Sequence, residues 1–548
     1  MNKDRRDFLR LSGAVALLPS VVPLAKASQP QALQLKTSTT RRVGTSAGPF
    51  EPLPYTAEDA LSVAKGFSWS ALASTGDQIN ARGERFGDCC DFTAFFAGKD
   101  DGHGFLWVNH EYLLPHVHAR KRTDGRKTRQ EVEAEMKLVG GSFLELKRST
   151  TGATLGPWRV VKDSKRAFRI DGHSAIPLVG PAGGRSVRGT MGNCGGGTTP
   201  WGTVLSGEEN VQDYYAKEAS EDNYGWGQFF EGPEHDYGWV VEVDIETGQA
   251  RKLTALGRFA HEGATVVLAK DGRVVVYMGD DAAGQCLYKF ISAGRVTGNA
   301  SKDKDLLLEG SLYCADLRAG KWLHLDPSLP KIAAAAKSDP QFFATLPDVL
   351  RNTRKAAHVA GGTPLNRPED VKVHPKLGTV YFTLTNNSAA GDFHGQVVML
   401  NEEDNDHGQL SFTYDTHVVG GAGRGFSCPD NLCFGPGDYL WVCTDISGLA
   451  MGRGAHTNFA RNSLLRLEHD PKSTTTIARH FLQAPLEAEV TGPSFDNTYN
   501  SFFLSIQHPG EFSFQRSPGF SSHWPNGGSS APLSTVIAIQ EQGASFSR

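Results

Sequence analysis

Phe105-Leu106-Trp107-Val108, followed at once by Asn109-His110-Glu111, is a short apolar run ending in an amide, a histidine and a carboxylate. The same pattern returns five times. Thr203-Val204-Leu205 runs into Glu208-Glu209-Asn210, Val274-Val275-Val276-Tyr277-Met278 into Asp280-Asp281, and Val380-Tyr381-Phe382-Thr383-Leu384 into Asn386-Asn387. Tyr439-Leu440-Trp441-Val442 leads to Asp445, and Phe502-Phe503-Leu504-Ser505-Ile506 to Gln507-His508. After each comes a second strand-like run: Ser142–Leu146, Trp239–Val243, Cys286–Phe290, Val397–Leu400, Leu464–Leu467 and Thr535–Ile539. Turn chemistry such as Asp244-Ile245-Glu246-Thr247-Gly248 closes several of them. Six strand pairs in strict alternation and at irregular spacing predict an all-β fold, a six-bladed β-propeller, over a competing pair of β-sandwiches. In a propeller the strand nearest the axis delivers its end residues to the mouth of a central channel. Six polar clusters would then converge on one site.

From about Asp326 to Ala360 the chain is alanine-rich, with Ile332, Phe342, Leu346 and Leu350 as apolar points of a helical period. This reads as a helical insertion lying over the propeller. At the N-terminus, Arg5-Arg6-Asp7-Phe8-Leu9 is a twin-arginine pattern, followed by a mildly apolar run that ends in Ala25-Lys26-Ala27. Residues 1–27 are therefore expected to be a signal peptide for the twin-arginine export machinery, 28–45 a flexible leader, and 46–548 the propeller domain. The expected location is periplasmic or secreted. The apolar run is broken by Pro19 and Pro23 and is too short for a stable membrane span. Five basic and two acidic residues leave with 1–27, which moves the formal charge from −4 to −7. There is no basic stripe, so nucleic acid is not an expected partner. A monomer is expected. The 61 glycines against 6 methionines suit an all-β chain with many turns. Eight cysteines show no C-x-x-C zinc spacing, and their pairing, Cys428 with Cys433 included, stays open.

Chemistry concentrates in a few segments. In Met191-Gly192-Asn193-Cys194-Gly195-Gly196-Gly197, glycines surround one cysteine, which leaves the backbone open to a ligand. With Glu208-Glu209 one strand later, Cys194 is read as a metal-bound thiolate rather than a small core residue. His261 and Glu262 are adjacent, so in a strand only one faces the channel, and Glu262 is the choice. Arg367 and Glu369 stand two apart around Pro368, which favours extended backbone and one shared face. A carboxylate there would hold cation while the arginine fork grips phosphate oxygens bidentately. Glu111, Asp280, Asp281 and Glu489 are further hard oxygen donors of the kind calcium takes. A thiolate among carboxylates points to a transition metal beside calcium. No Walker A loop or H-E-x-x-H pattern is present.

Asn109-His110-Glu111-Tyr112, Asn193-Cys194-Gly195-Gly196, Thr199-Pro200-Trp201-Gly202-Thr203, Gly279-Asp280-Asp281, Arg367-Pro368-Glu369, Leu384-Thr385-Asn386-Asn387, Pro429-Asp430 and Ile506-Gln507-His508-Pro509-Gly510 follow one another in the chain. Taken together they resemble the PhoX family of bacterial alkaline phosphatases. The resemblance implies a twin-arginine-exported six-bladed propeller that hydrolyses small phosphate monoesters with a calcium–iron cluster. It implies that Cys194 is the iron-binding thiolate, that Glu262 and Glu369 are carboxylates of the cluster, that Glu209 is a calcium-side ligand and that Arg367 binds phosphate. Three places depart from the family's pattern: Gly195 stands for alanine, Asp370 for an aromatic residue, and Cys89-Cys90 for a polar pair. The rival readings are a calcium-dependent lactonase or other esterase on a similar propeller, and a non-catalytic propeller that keeps calcium for stability.

Overall fold

The computed structural model describes residues 50–542 apart from 57, 115–116, 119–125, 150–154, 218, 220–222, 231, 470–475 and 515–517. The expected signal peptide (1–27) and leader (28–45) lie outside the described residues. Six of the described sheets form blades, antiparallel except where Lys252-Leu253 pairs in parallel with Leu178-Val179 in the second, and a two-stranded sheet of Ala283–Gln285 and Leu365–Asn366 stands apart. The blades' inner strands are Cys90–Ala97, Asn193–Thr198, His261–Leu268, Pro368–Val373, Pro429–Phe434 and Glu489–Phe495. These strands abut in that order, and the sixth returns to the first, which closes a ring. The chain is a six-bladed β-propeller.

The repeated runs quoted above are the second strands of the blades: His103–His110, Thr203–Glu208, Arg273–Asp280, Val380–Leu384, Leu440–Thr444 and Phe502–Gln507. The expectation that they line the axis is corrected. The innermost strands are less apolar, because backbones crowd there and little room remains for side chains. A Cβ on Gly195 would stand 2.2 Å from the Gly263 nitrogen, and one on Gly197 only 2.0 Å from the Ala264 oxygen. The glycines around Cys194 thus serve close strand packing, not an open path for a ligand.

The ring is closed by a strand from the other end of the chain. Phe67–Ser74 pairs with Thr535–Glu541, with Trp69 opposite Ile539, and forms the outer strand of the sixth blade. Apolar faces pack between neighbouring blades; Trp107 and Phe143 of the first lie in one cluster with Val204, Trp239 and Val241 of the second. The expected insertion is four helices, Pro330–Ala335, Pro340–Phe343, Leu346–Arg351 and Thr353–Ala360. A capping box between Thr345 and Asp348 starts the third, and Gly361 at φ 103° ends the fourth. Ile332, Phe343 and Leu350 anchor the insertion in a core shared with Leu253, Leu256 and Phe290. All eight cysteines are free thiols. Among the described residues no helix is long and apolar enough to cross a membrane.

One buried ion pair fixes the corner that leads to the site. Lys252 Nζ lies 2.7 Å from Glu208 Oε1, with both side chains fully buried. Glu208 also accepts from the backbone N–H groups of Gly238 and Trp239. Burial pushes the Lys252 amine down, and the Glu208 carboxylate opposes that push. Such a pair adds little net stability, but losing one partner strands the other charge at a cost of about 3–5 kcal/mol. The end of the second blade's second strand, and with it Glu209, is held in one geometry.

Candidate functional site

Antiparallel pairing sets the start of each inner strand beside the end of the next. Cys90 pairs with His110, Asn193 with Glu208, His261 with Asp280, Pro368 with Leu384, and Pro429 with Thr444. In the sixth blade Glu489 pairs with Gln507. One residue beyond the first five pairs lie Asp91, Cys194, Glu262, Glu369 and Asp430 on the inner strands, and past four of the five second strands Glu111, Glu209, Asp281 and Asp445. The backbone is bent to aim them. Cys89 (φ 35°), Gly192 (61°), Arg367 (54°) and Cys428 (52°) are left-handed immediately before their inner strands. Every inner strand then carries a register shift of the β-bulge kind near its start. The turn at Gly192 admits no side chain, since a Cβ would fall 1.8 Å from the Glu209 oxygen.

The resulting cavity is small, about 40 Å³, and is lined by nine carboxylates, one guanidinium and one thiol: Glu111, Glu209, Asp213, Glu262, Asp281, Glu369, Asp430, Asp445, Glu489, Arg367 and Cys194. Two three-donor groups share Cys194. Asp91, Glu111 and Cys194 offer ligand atoms within 4.8 Å of one another, and so do Cys194, Glu209 and Glu262. Burial and neighbouring acids push the carboxyls of Glu209, Glu262 and Asp430 well up. Glu369 is pushed the same way by burial, against the pull of Arg367. Asp91 is pushed up to about 7 by burial and then by Glu489. Asp281 is lowered: burial pushes it up, but the Arg367 guanidinium together with hydrogen bonds from Glu209 and Glu369 outweighs that push. Burial raises the Cys194 thiol, and Asp91, Glu111, Glu262 and Glu209 raise it further. Its Sγ donates to Asp91 Oδ2 at 3.1 Å.

These donors fit bound cations. A buried crowd of acids with a single arginine is short of positive charge. Gln507 Oε1 is buried with no hydrogen-bond donor among the described residues. Many carboxylate oxygens suit calcium, and one sulfur at the junction of two groups suits a softer metal beside it.

The sequence-predicted residues divide clearly. Cys194, Glu209, Glu262, Glu369, Glu111, Glu489 and Arg367 all line this cavity. Asp280 does not. Its carboxylate accepts Arg354 Nε at 3.0 Å on both oxygens and turns toward the helical insertion, so Asp281 takes its place at the cavity. His261 also turns away, with Nε2 3.0 Å from the Gly257 oxygen. Arg367 is left-handed rather than extended, so Pro368 does not set its backbone as expected. It still meets Glu369, Nη2 to Oε1 at 2.7 Å. Its fork is engaged by Asp281, through Nε at 2.7 Å and Nη2 at 3.0 Å, not left open for phosphate. Among the described residues Nη1 makes no hydrogen bond.

A family model described as alkaline phosphatase PhoX matches residues 48–510. The chain belongs to the PhoX family. Among solved structures, Pseudomonas fluorescens PhoX in complex with vanadate, a transition state analogue, is 29% identical at a TM-score of 0.79, covering 90% of this chain and 98% of that one. A gluconolactonase from Xanthomonas campestris matches at 9% identity and a TM-score of 0.33, covering 90% and 98%. A Trichoderma reesei AA12 carbohydrate-active enzyme, in its calcium structure, matches at 12% and 0.33, covering 89% and 98%. These last two carry no argument about chemistry. A search of curated proteins finds no match.

Within the PhoX fold, sequence reasoning missed Asp91, Asp430 and Asp445 as members of the site. Asp445 was visible as a strand end. Asp91 and Asp430 open the unrecognised inner strands, and the signal for them is positional: each follows a left-handed cysteine by two residues. Cys89 and Cys90 are therefore a tight turn and a strand start. Ser534 Oγ donates to Cys90 Sγ at 3.0 Å and accepts the Cys90 N–H at 2.8 Å. Asp370 stitches the fourth and fifth blades, accepting the Leu432 N–H at 2.9 Å.

Proposed function

We propose that this chain is an exported phosphatase that hydrolyses phosphate monoesters at the channel mouth, using calcium and iron held by the ring of acids and Cys194. The observation that carries this reading is the thiol shared by two three-donor groups, one of which contains Glu262 and Glu209, with Arg367 in the same cavity. Cys194, Glu111, Glu209, Glu262, Glu369 and Glu489 would hold the ions, with Asp91, Asp281, Asp430 and Asp445 completing the ring. Bound cations would draw charge from the phosphoryl oxygens. Water adds at phosphorus, the P–O bond to the alcohol breaks, and alcohol and inorganic phosphate leave. Arg367 stays charged throughout, its pKa raised by Asp281 and Glu369 against burial. Asp281 fixes its plane, and Nη1 would meet a phosphate oxygen as charge develops there. The vanadate held by the Pseudomonas fluorescens protein supports this chemistry.

Steady-state turnover of 4-nitrophenyl phosphate with calcium present tests the reading, with bis(4-nitrophenyl) phosphate and a γ-lactone as controls. The monoester should be hydrolysed at least about a hundredfold faster than the diester, which carries one less charge for the site to hold. Lactone hydrolysis with no phosphate release would favour the lactonase reading, and inertness to all three the binding propeller.

Export follows from Arg5-Arg6 and Ala25-Lys26-Ala27, and should give a mature chain that begins at Ser28. Changing both arginines to lysine should leave unprocessed protein in the cytoplasm. Processing of that variant at the wild-type rate contradicts the twin-arginine route.

A further inference from the structure

The site cavity, at about 40 Å³, has room for only a few water-sized groups and none for the alcohol of an ester. A second cavity of about 540 Å³ shares Glu209, Asn210 and Asp281 with it, so the two meet at these residues. Its size is that of a small-molecule pocket. The outer wall is the helical insertion, which contributes Phe342, Arg351, Arg354 and Lys355, and the loop before the third inner strand adds Arg258.

The cations on this wall are held in place. Arg354 is pinned by Asp280, which gives that strand-end acid a role away from the cage. The Arg258 N–H bonds the Leu350 oxygen at 3.0 Å and so ties the loop to the insertion. Its guanidinium meets exposed Glu234 at 3.0 Å. The acids of the pocket are largely spoken for: Glu208 by Lys252, Asp281 by Arg367, Glu234 by Arg258. Arg351 makes two long contacts, Nη1 to Asp348 at 3.6 Å and Nη2 to the Ala182 oxygen at 3.4 Å, and Lys355 lies over the Phe342 ring at 3.3 Å from its centroid. Among the described residues Lys355 has no carboxylate partner.

Resting on the phosphatase reading, we propose that this second cavity is the leaving-group pocket, and that Arg351 and Lys355 select phosphate monoesters whose alcohol carries a second anionic group. An ester with its phosphoryl group at the cage reaches this pocket by placing its alcohol past Glu209 and Asp281. There the wall offers charge-assisted hydrogen bonds to a further phosphate or carboxylate. An uncharged alcohol leaves those donors to water.

The test compares glucose 1,6-bisphosphate with glucose 6-phosphate. Whichever phosphate leaves first from the bisphosphate, its alcohol still carries the other. The wild type should favour the bisphosphate in kcat/KM by at least about tenfold. Arg351→Gln with Lys355→Gln should bring that ratio close to one. Lys355→Gln alone, at an exposed side chain, repeats the comparison should the double variant misfold, and should lower the ratio severalfold. A wild-type ratio near one, or a ratio the substitutions leave intact, overturns the proposal. If neither ester is hydrolysed, the phosphatase reading fails, and equilibrium dialysis of the same two sugar phosphates still decides the pocket. Tighter binding of the bisphosphate by about tenfold, lost in the variant, sustains it, and equal binding refutes it.

Discussion

Cys194→Ala should yield a colourless protein with no iron and with 4-nitrophenyl phosphate turnover reduced by about a thousandfold or more. Cys194 is buried and faces Asp91, Glu111, Glu262 and Glu209, each of which opposes a negative charge on sulfur. Among the described residues no cationic side chain hydrogen-bonds it; Arg367 Nε and Nη2 are engaged by Asp281 and Glu369. Evolution would place a cysteine among such neighbours at little gain in packing, whereas a bound metal would explain both the sulfur and the acids around it. Sulfur-to-ferric charge transfer should give the wild type a visible absorption band. Alanine removes the one soft donor, so iron, colour and activity should fall together while carboxylate-held calcium partly remains. If Cys194 is only a core residue, the variant loses on the order of 1 kcal/mol of stability and keeps its activity and metals. Iron content, absorption and turnover, measured side by side, separate the two.

Arg367→Lys should lower kcat/KM by about a hundredfold or more while the melting temperature moves little. The guanidinium holds two acids at once, with Nε and Nη2 on Asp281 and Nη2 also on Glu369. A lysine ammonium keeps the charge but cannot span both contacts and still present a further N–H to phosphate. Because the net charge of the ring is unchanged, metal content should survive. A variant as active as the wild type would reduce Arg367 to a structural ion-pair residue.

The blade count and much of the site were legible because both rest on local pattern. Runs such as Val274–Met278 announce themselves by β-branched and aromatic residues, and the acids that follow them are conspicuous. The inner strands were not legible. Asn193-Cys194-Gly195-Gly196-Gly197-Thr198 has no apolar alternation, since its side chains are limited by neighbouring backbones at the axis. Asp91 and Asp430 went unread with those strands. The choice between Asp280 and Asp281 was beyond local pattern as well. It depends on Arg354, which the insertion brings in from more than seventy positions away. Arg367 met Glu369 by a left-handed turn, not the extended backbone that Pro368 suggests. The outer strand of the sixth blade, Phe67–Ser74, pairs with residues at the far end of the chain, a contact no periodicity reveals.

The central claim is that cations hold this ring of acids together and make it active. Thermal unfolding of the purified protein with and without excess chelator, followed by calcium, tests it most directly. Nine cavity carboxylates face one arginine, and ions that bind only the folded state stabilise it by mass action, about 2.7 kcal/mol at a hundredfold excess over Kd. The account predicts a melting temperature that falls by several degrees on chelation, with phosphatase activity lost, and at least partial recovery of both when calcium is returned. A melt that chelator leaves unchanged would contradict it.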